Sequence, residues 1–228
     1  MIKAVIFDLD NTLLDFMKMK SSSIKSAIDG MIEAGLDLDR EKASDEIYDI
    51  YDKKGYEYQD VLSEFITDKV GKLDYKILAG GIVEYKKAKE KSLNLYPDVY
   101  ETLISISKLG LKLGIVSDAP SREAWIRLYT VKIHDLFDEV VTYNDTGVHK
   151  PGKEPFELMI SRLNVDFENC IMIGDWPDRD IKGAKQLGMK TAFAKYGSTQ
   201  DISHSGADYD LEHITDIINI IKDLNNLE

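Results

Sequence analysis

Residues 1–12, which read MIKAVIFDLDNT, contain a fully apolar run, Ala4–Phe7, that is followed at once by polar side chains. A short apolar run rich in β-branched residues is typical of a strand that is buried on both faces of a parallel sheet. Asp8 is then expected at the C-terminal end of that strand. Further runs of this kind lie at residues 111–116, 140–142, 170–173 and 191–194. We therefore predict a sheet built from these strands.

Helical patterns separate the apolar runs from about residue 95 onward. One set of apolar positions at helical spacing is Val99, Leu103, Ile106 and Leu109. Asp98 is expected to cap this helix and Gly110 to end it. Alternation of strand and helix is typical of an α/β protein, with a doubly wound, Rossmann-like parallel sheet and helices on both faces. Ligands of such sheets bind beyond the C-terminal ends of the strands.

Residues 17–92 interrupt this alternation with successive amphipathic patterns. One pattern comprises Ile24, Ala27, Ile28, Met31 and Ile32, and another comprises Val61, Leu62, Phe65 and Ile66. Apolar side chains at three- and four-residue spacing form the buried face of a helix. We therefore predict an all-helical cap domain at residues 17–92, inserted into a catalytic core of residues 1–16 and 93–228. Short hinges are expected at residues 14–20 and 93–97.

The composition excludes several classes of partner. The chain has 29 basic and 41 acidic residues, and its net charge of -12 argues against non-specific binding to nucleic acid or to anionic membranes. A single cysteine, Cys170, excludes an intramolecular disulfide and favours a reducing, cytoplasmic location. The first apolar run is too short for a signal peptide, and no stretch is long enough to span a membrane.

Polar side chains suited to phosphoryl transfer follow the predicted strands. They are Asp8, Asp10, Thr12, Ser117, Asp118, Lys150, Asp175 and Asp180. Two carboxylates placed two residues apart allow one to attack an electrophile while the other transfers protons, and carboxylates also bind Mg²⁺. A nearby lysine offsets the charge of a phosphate group. A single pair of aspartates is a weak signal in an acidic chain, so the prediction depends on the whole set.

The motifs FDLDNT, VSD, HKPGKEPF and IGDWPDRD occur in an order that resembles the haloacid dehalogenase-like hydrolase superfamily. The resemblance spans nearly the whole chain and implies the phosphatase branch with a helical cap. The segments MIEAGLD, YPDV and ADYDL are similar to an archaeal subgroup of glyceraldehyde 3-phosphate phosphatases. The resemblance implies a small phosphorylated metabolite as substrate and Mg²⁺ as cofactor.

The resemblance also implies a role for the three aspartates nearest the chemistry. Asp8 is similar to the nucleophile that forms an aspartyl-phosphate intermediate. Asp10 is similar to the general acid and base, whose backbone carbonyl also binds the metal. Asp175 resembles the remaining protein ligand of Mg²⁺.

Further residues match the family's phosphate-binding and supporting positions. Ser117 and Lys150 resemble the phosphate-binding hydroxyl and the catalytic, phosphate-binding lysine. Thr12 resembles a supporting hydroxyl in the phosphate site. Asp180 resembles an acid that orients Lys150 or the metal-bound water, and Asp178 is an alternative whose spacing fits less well.

Two positions depart from the family's usual motifs. Asp118 stands where many relatives carry Asn, and it is expected to be structural. Trp176 stands where many carry a small residue, and it is expected to narrow access or to stack on a ligand. A dehalogenase is disfavoured because such relatives lack a carboxylate at the position of Asp10. A sugar-phosphate mutase and a non-catalytic phospholigand-binding protein remain as alternatives.

Substrate choice is expected to lie in the predicted cap, because the catalytic groups contact only the phosphate, the metal and the bridging oxygen. Candidate contacts for the leaving group are Phe16, Met17, Lys18 and Lys20.

Overall fold

The computed structural model describes residues 1–227. The chain divides into two compact units. One, here named the α/β unit, comprises Met1–Asp15 and Asn94–Glu228, and the other, the helical unit, comprises Phe16–Leu93. Among residues 1–227, no helix combines the length and the apolar character needed to cross a lipid bilayer.

The α/β unit is built on a six-stranded parallel sheet. The strands are β1 (Ala4–Phe7), β2 (Lys112–Val116), β3 (Glu139–Val141), β4 (Cys170–Gly174), β5 (Lys190–Ala194) and β6 (Tyr209–Leu211). Their order across the sheet is β3-β2-β1-β4-β5-β6, so β1 lies in the interior between β2 and β4. The predicted doubly wound fold class is therefore confirmed, and each predicted strand agrees with the observed one to within a residue at either end.

Strand β6 was not predicted, and its position in the sheet explains why. It forms one edge and pairs only with β5 among the described strands. Leu211 is buried, whereas Asp210 between its two neighbours is exposed. An edge strand of three residues lacks the continuous apolar run that marks the interior strands.

The helical unit contains four helices, α1 (Phe16–Glu33), α2 (Arg40–Lys54), α3 (Val61–Val70) and α4 (Tyr75–Ser92). Their buried faces form one apolar core that includes Ile24, Ile28, Met31, Ile47 and Phe65. Helices α1 and α4 approach closely where Gly30 faces Gly80, and a Cβ atom on either glycine would overlap the carbonyl oxygen of the other. Glycine is required at this crossing for that reason.

The hinge predicted at residues 14–20 is wrong over most of its length, because α1 already begins at Phe16. Phe16, Met19 and Lys20 are buried, so they extend the buried face of the helix toward its N-terminus. The ammonium of Lys20 donates a hydrogen bond to the carbonyl of Tyr56 at 2.7 Å and lies 4.0 Å from the centre of the Tyr51 ring. Lys20 is thus part of the internal packing of the helical unit.

Six helices of the α/β unit follow in chain order. They are α5 (Val99–Lys108), α6 (Ser121–Thr130), α7 (Tyr143–Thr146), α8 (Glu154–Leu163), α9 (Lys182–Gln186) and α10 (Asp216–Asn225). Asp98 precedes α5, but its backbone is left-handed with φ 63° and its side chain makes no capping bond, so that part of the prediction is wrong. Gly110 follows α5 with φ 76°, a conformation that ends a helix. Phe156 and Met159 of α8 pack against the sheet with Ile6 and Met172.

Candidate active site

Strands β1, β2 and β4 end side by side, and each is followed by a buried polar residue: Asp8, Ser117 or Asp175. The backbone N–H of Asp8 donates to the carbonyl of Ile173 at 2.8 Å, so the sheet hydrogen bonding extends beyond β1 and fixes this residue. The chain order reverses between β1 and β4, since later strands add on the other side of β1. Open α/β sheets bind ligands at such a switch point.

Asp8, Asp175 and Asp180 form a cluster of buried carboxylates. One oxygen of each lies within 4.8 Å of the others. Burial is the main reason that the pKa values of Asp8 and Asp175 are raised, and the negative charge of neighbouring carboxylates raises them further. A divalent cation would reverse this effect by favouring the ionised carboxylates. The number, type and spacing of these oxygens therefore fit a hard divalent metal ion.

The predicted metal ligands were Asp8, Asp10 and Asp175. The structure brings the side chains of Asp8 and Asp175 together, and it adds Asp180 to the group within ligand distance. The hydroxyl of Thr12 donates to Oδ1 of Asp175 at 3.3 Å, so it supports that carboxylate from within the motif loop. Of the predicted metal ligands, Asp8 and Asp175 would therefore bind the metal through their side chains, and Asp180 lies next to them.

Lys150 places its ammonium between two of these carboxylates. Its Nζ lies 2.5 Å from Oδ1 of Asp8 and 2.7 Å from Oδ1 of Asp180, and it donates to the carbonyl of Val116 at 2.8 Å. Burial by itself lowers the pKa of Lys150, but the charges of Asp180 and Asp8 outweigh burial and the net direction is upward. Lys150 is therefore held in its charged form next to the predicted nucleophile.

A tight helical turn directs Asp180 into this cluster. Pro177–Ile181 form one π-helical turn after β4, and Oδ2 of Asp180 accepts a hydrogen bond from the backbone N–H of Trp176 at 3.0 Å. The Asp180 side chain packs over Gly174, where a Cβ atom would overlap it. Asp178, the alternative considered from the sequence, is exposed. The turn therefore selects Asp180 as the inward-facing acid.

Asp118 contacts the loop that carries Lys150. Its Oδ1 accepts a hydrogen bond from the backbone N–H of Lys150 at 2.9 Å, and its Oδ2 accepts from Nη1 of Arg179 at 3.2 Å. The Arg179 guanidinium lies 4.1 Å from the centre of the Trp176 ring, which is 39% exposed. A carboxylate at position 118 thus binds both a backbone donor and an arginine, a combination that Asn would serve less well.

Sequence reasoning missed Arg127. This residue lies on α6, and its Nη1 is 2.5 Å from Oδ2 of Asp10. The signal was present in the sequence, because Arg127 is three residues after Ala124 and one before Leu128, which are both buried. A charged residue at helical spacing within an apolar face indicates a buried ion pair.

The sequence profile of a family described as haloacid dehalogenase-like hydrolase matches residues 5–194. The chain belongs to the haloacid dehalogenase-like hydrolase family. The recognition of this family from its four motifs is therefore confirmed, and so is the prediction that the chain is an enzyme.

Full-length relatives of this haloacid dehalogenase-like hydrolase are similar to it over nearly the whole chain. A glyceraldehyde 3-phosphate phosphatase of Methanocaldococcus jannaschii is 34% identical over 227 residues, which cover 98% of this chain and 99% of the relative. A protein of the same name from Methanopyrus kandleri is 32% identical and covers 98% of this chain and 99% of its own length. The crystal structure of a HAD phosphatase from Thermococcus onnurineus superposes with a TM-score of 0.72 at 25% identity, covering 96% of this chain and 98% of the other.

Proposed function

We propose that this hydrolase is a Mg²⁺-dependent phosphatase that moves a phosphoryl group from a small ester to Asp8 and then to water. The observation that supports the proposal is the buried contact of 2.5 Å between Asp8 and the ammonium of Lys150, inside a cluster of three carboxylates at the switch point of the sheet. This arrangement joins a nucleophile, a fixed positive charge and a set of metal-binding oxygens.

Each residue has a distinct part in the proposed reaction. Asp8 attacks phosphorus, and the bond to the leaving oxygen breaks as the bond to the Asp8 carboxylate forms. Asp10 donates a proton to the leaving alcohol and then removes one from the water that attacks the aspartyl-phosphate. Mg²⁺, bound by Asp8, Asp175 and the backbone carbonyl of Asp10, would neutralise negative charge on the phosphate oxygens and on Asp8.

Ser117 and Lys150 are proposed to bind the transferred phosphoryl group. The backbone N–H of Ala119 donates to Oγ of Ser117 at 3.1 Å, so the hydroxyl proton of Ser117 is available to a phosphate oxygen. Lys150 supplies the positive charge, while Asp180 at 2.7 Å keeps its ammonium oriented. Thr12 acts indirectly through its hydrogen bond to Asp175.

Glyceraldehyde 3-phosphate is the substrate that we propose first. The support comes from two full-length relatives of that name, which are 34% and 32% identical to this chain. A small phosphorylated metabolite as the partner and a cytoplasmic location belong to the same proposal. That the helical unit is a cap whose contacts with the leaving group determine substrate choice stays a prediction.

Asp8→Asn tests the proposed function directly. Phosphate release from glyceraldehyde 3-phosphate in the presence of Mg²⁺ should fall by roughly 10⁴-fold or more, as loss of a nucleophile does in other covalent enzymes. Asp178→Asn is the matched control, because this aspartate is exposed and should leave activity unchanged. The far-ultraviolet circular dichroism of both variants checks folding.

Three results would contradict the proposal in different ways. Ordinary turnover by Asp8→Asn would exclude Asp8 as the nucleophile. Isomerisation of a sugar phosphate that depends on a bisphosphate would identify a mutase. Binding of phosphate esters by the wild-type protein without any phosphate release would identify a non-catalytic binding protein.

A further inference from the structure

Arg127 is a fully buried arginine on α6, at 1% exposure, and it is the largest of the fully buried side chains in residues 1–227. A guanidinium stays charged at every physiological pH. Placing such a charge in the interior is costly unless an anion compensates it. The position of Arg127 therefore requires a specific partner.

Asp10 provides that anion. Its Oδ2 lies 2.5 Å from Nη1 of Arg127, although the two residues are 117 positions apart in the sequence. The Arg127 side chain is 2% exposed and the Asp10 side chain 23% exposed. The guanidinium is thus on the buried side of the pair, and the carboxylate is on the accessible side.

The backbone around Asp10 is fixed by its own contacts. Asn11 has a left-handed φ of 58°, and its N–H donates to the carbonyl of Leu14 at 2.7 Å. With the backbone fixed, the orientation of the Asp10 carboxylate depends on the two side-chain torsions, χ1 and χ2. The contact with Arg127 restricts both rotations, because it fixes one carboxylate oxygen at a defined point.

We propose that Arg127 is a positioning residue for proton transfer, which holds the Asp10 carboxylate in one orientation relative to the oxygen between phosphorus and the leaving group. The inference rests on the proposed phosphatase function. In the first step the proton moves from Asp10 to the leaving oxygen as the phosphorus–oxygen bond breaks. In the second step the attacking water returns a proton to Asp10, so one ester and one water give one alcohol and one phosphate.

Leaving-group dependence separates this role from a merely structural one. An alkyl phosphate such as glycerol 3-phosphate requires a proton on its leaving oxygen, whereas 4-nitrophenyl phosphate releases a stable phenolate without one. In Arg127→Gln, kcat/KM for the alkyl ester should fall about 10²-fold, the lower end of the effect of a general acid. The aryl ester should lose only a few fold, and the KM of both esters should change little.

Three further comparisons test the role of Arg127. Arg122→Gln is the matched control, because it makes the same chemical change at an exposed position of the same helix and should leave both esters unaffected. In Asp10→Asn, the additional change Arg127→Gln should cause no further loss, since residues that act as a unit are not additive. Arg127→Lys keeps the buried charge, should lie between wild type and Arg127→Gln, and serves if Arg127→Gln does not fold.

Crystal structures of the wild type and of Arg127→Gln provide a readout that does not depend on activity. The Asp10 carboxylate should occupy a different orientation in the variant. An unchanged Asp10 orientation, or equal losses on the two esters in a folded variant, would overturn the role of Arg127 while the phosphatase proposal stands. A wild-type protein that releases phosphate neither from these two esters nor from glyceraldehyde 3-phosphate would overturn both.

Discussion

Replacing Lys150 by Met would remove the positive charge from the carboxylate cluster while nearly preserving the volume of the side chain. In the wild-type protein the Lys150 ammonium lies within 2.7 Å of carboxylate oxygens of both Asp8 and Asp180. The variant would leave these buried carboxylates without their counter-charge. We expect a large loss of stability as well as of activity.

The structure sets the size of the effect. Removing one partner of a buried ion pair costs about 3–5 kcal/mol of unfolding free energy. For a protein of this length, each kcal/mol lowers Tm by about 2–4 °C, so Lys150→Met should lower Tm by roughly 6–20 °C. Lys153→Met is the matched control, because Lys153 is exposed and solvent screens its ion pair with Glu157, so its loss should change stability little.

The loss should also depend on pH. Burial and the neighbouring carboxylates raise the pKa of Asp8 from 3.8 to about 7, even though the charge of Lys150 opposes the rise. A carboxyl group with a raised pKa in the folded state retains a proton that the unfolded chain releases, so stability falls as pH rises through this range. In Lys150→Met, the pKa of Asp8 should be raised further, because the opposing positive charge is gone. The destabilisation of Lys150→Met should therefore be greater at pH 8 than at pH 5.

Urea unfolding in the presence of a chelator measures these quantities. Both tryptophans, Trp125 and Trp176, lie in the α/β unit, so their fluorescence reports on the unit that contains Lys150. An unfolding free energy of Lys150→Met within about 1 kcal/mol of wild type would refute the buried ion pair, since it falls below the expected cost. An equal loss at pH 5 and pH 8 would refute the electrostatic explanation.

Two other predictions concern the same cluster. Mg²⁺ should raise the Tm of the metal-free protein more at pH 8 than at pH 5, because protons on Asp8 and Asp175 compete with the ion. Thermal unfolding with and without Mg²⁺ measures this, and equal shifts at both pH values would contradict it. Gly174→Ala should cost about 1–3 kcal/mol and reduce kcat, because the added Cβ displaces Asp180. Wild-type stability and kcat in this variant would contradict the prediction, because they would show that the turn at Pro177–Ile181 moves to accept the Cβ atom without cost.

The interior of the sheet was predictable because burial on both faces imposes continuous apolar runs. Ala4–Phe7 and the strand that ends at Gly174 have this pattern, and the acids that follow them lie together because parallel strands end at one edge. The edge strand β6 lacks the pattern, since only one of its three residues is buried. The start of α1 was placed too late because buried Lys20 resembles a solvated lysine in the sequence.

The supporting contacts of the site were harder to predict, because they join residues that are distant in the sequence. The ion pair of Arg127 with Asp10 depends on where α6 lies relative to the loop that follows β1. The bond from the Lys150 backbone to Asp118 likewise depends on the path of a loop. The spacing of the motifs identifies the catalytic side chains. Which charged residues pair with those side chains depends on tertiary packing.

The position of the helical unit within the chain affects the order in which the protein is made. Strand β1 is synthesised first, yet its neighbours β2 and β4 begin only at residues 112 and 170. The helical unit is complete by Leu93 and packs around its own apolar core, so we expect it to form on the ribosome before the central strand has a partner. A nascent chain that ends before Asp180 would contain the four helices and the Asp8 motif but not the complete carboxylate cluster.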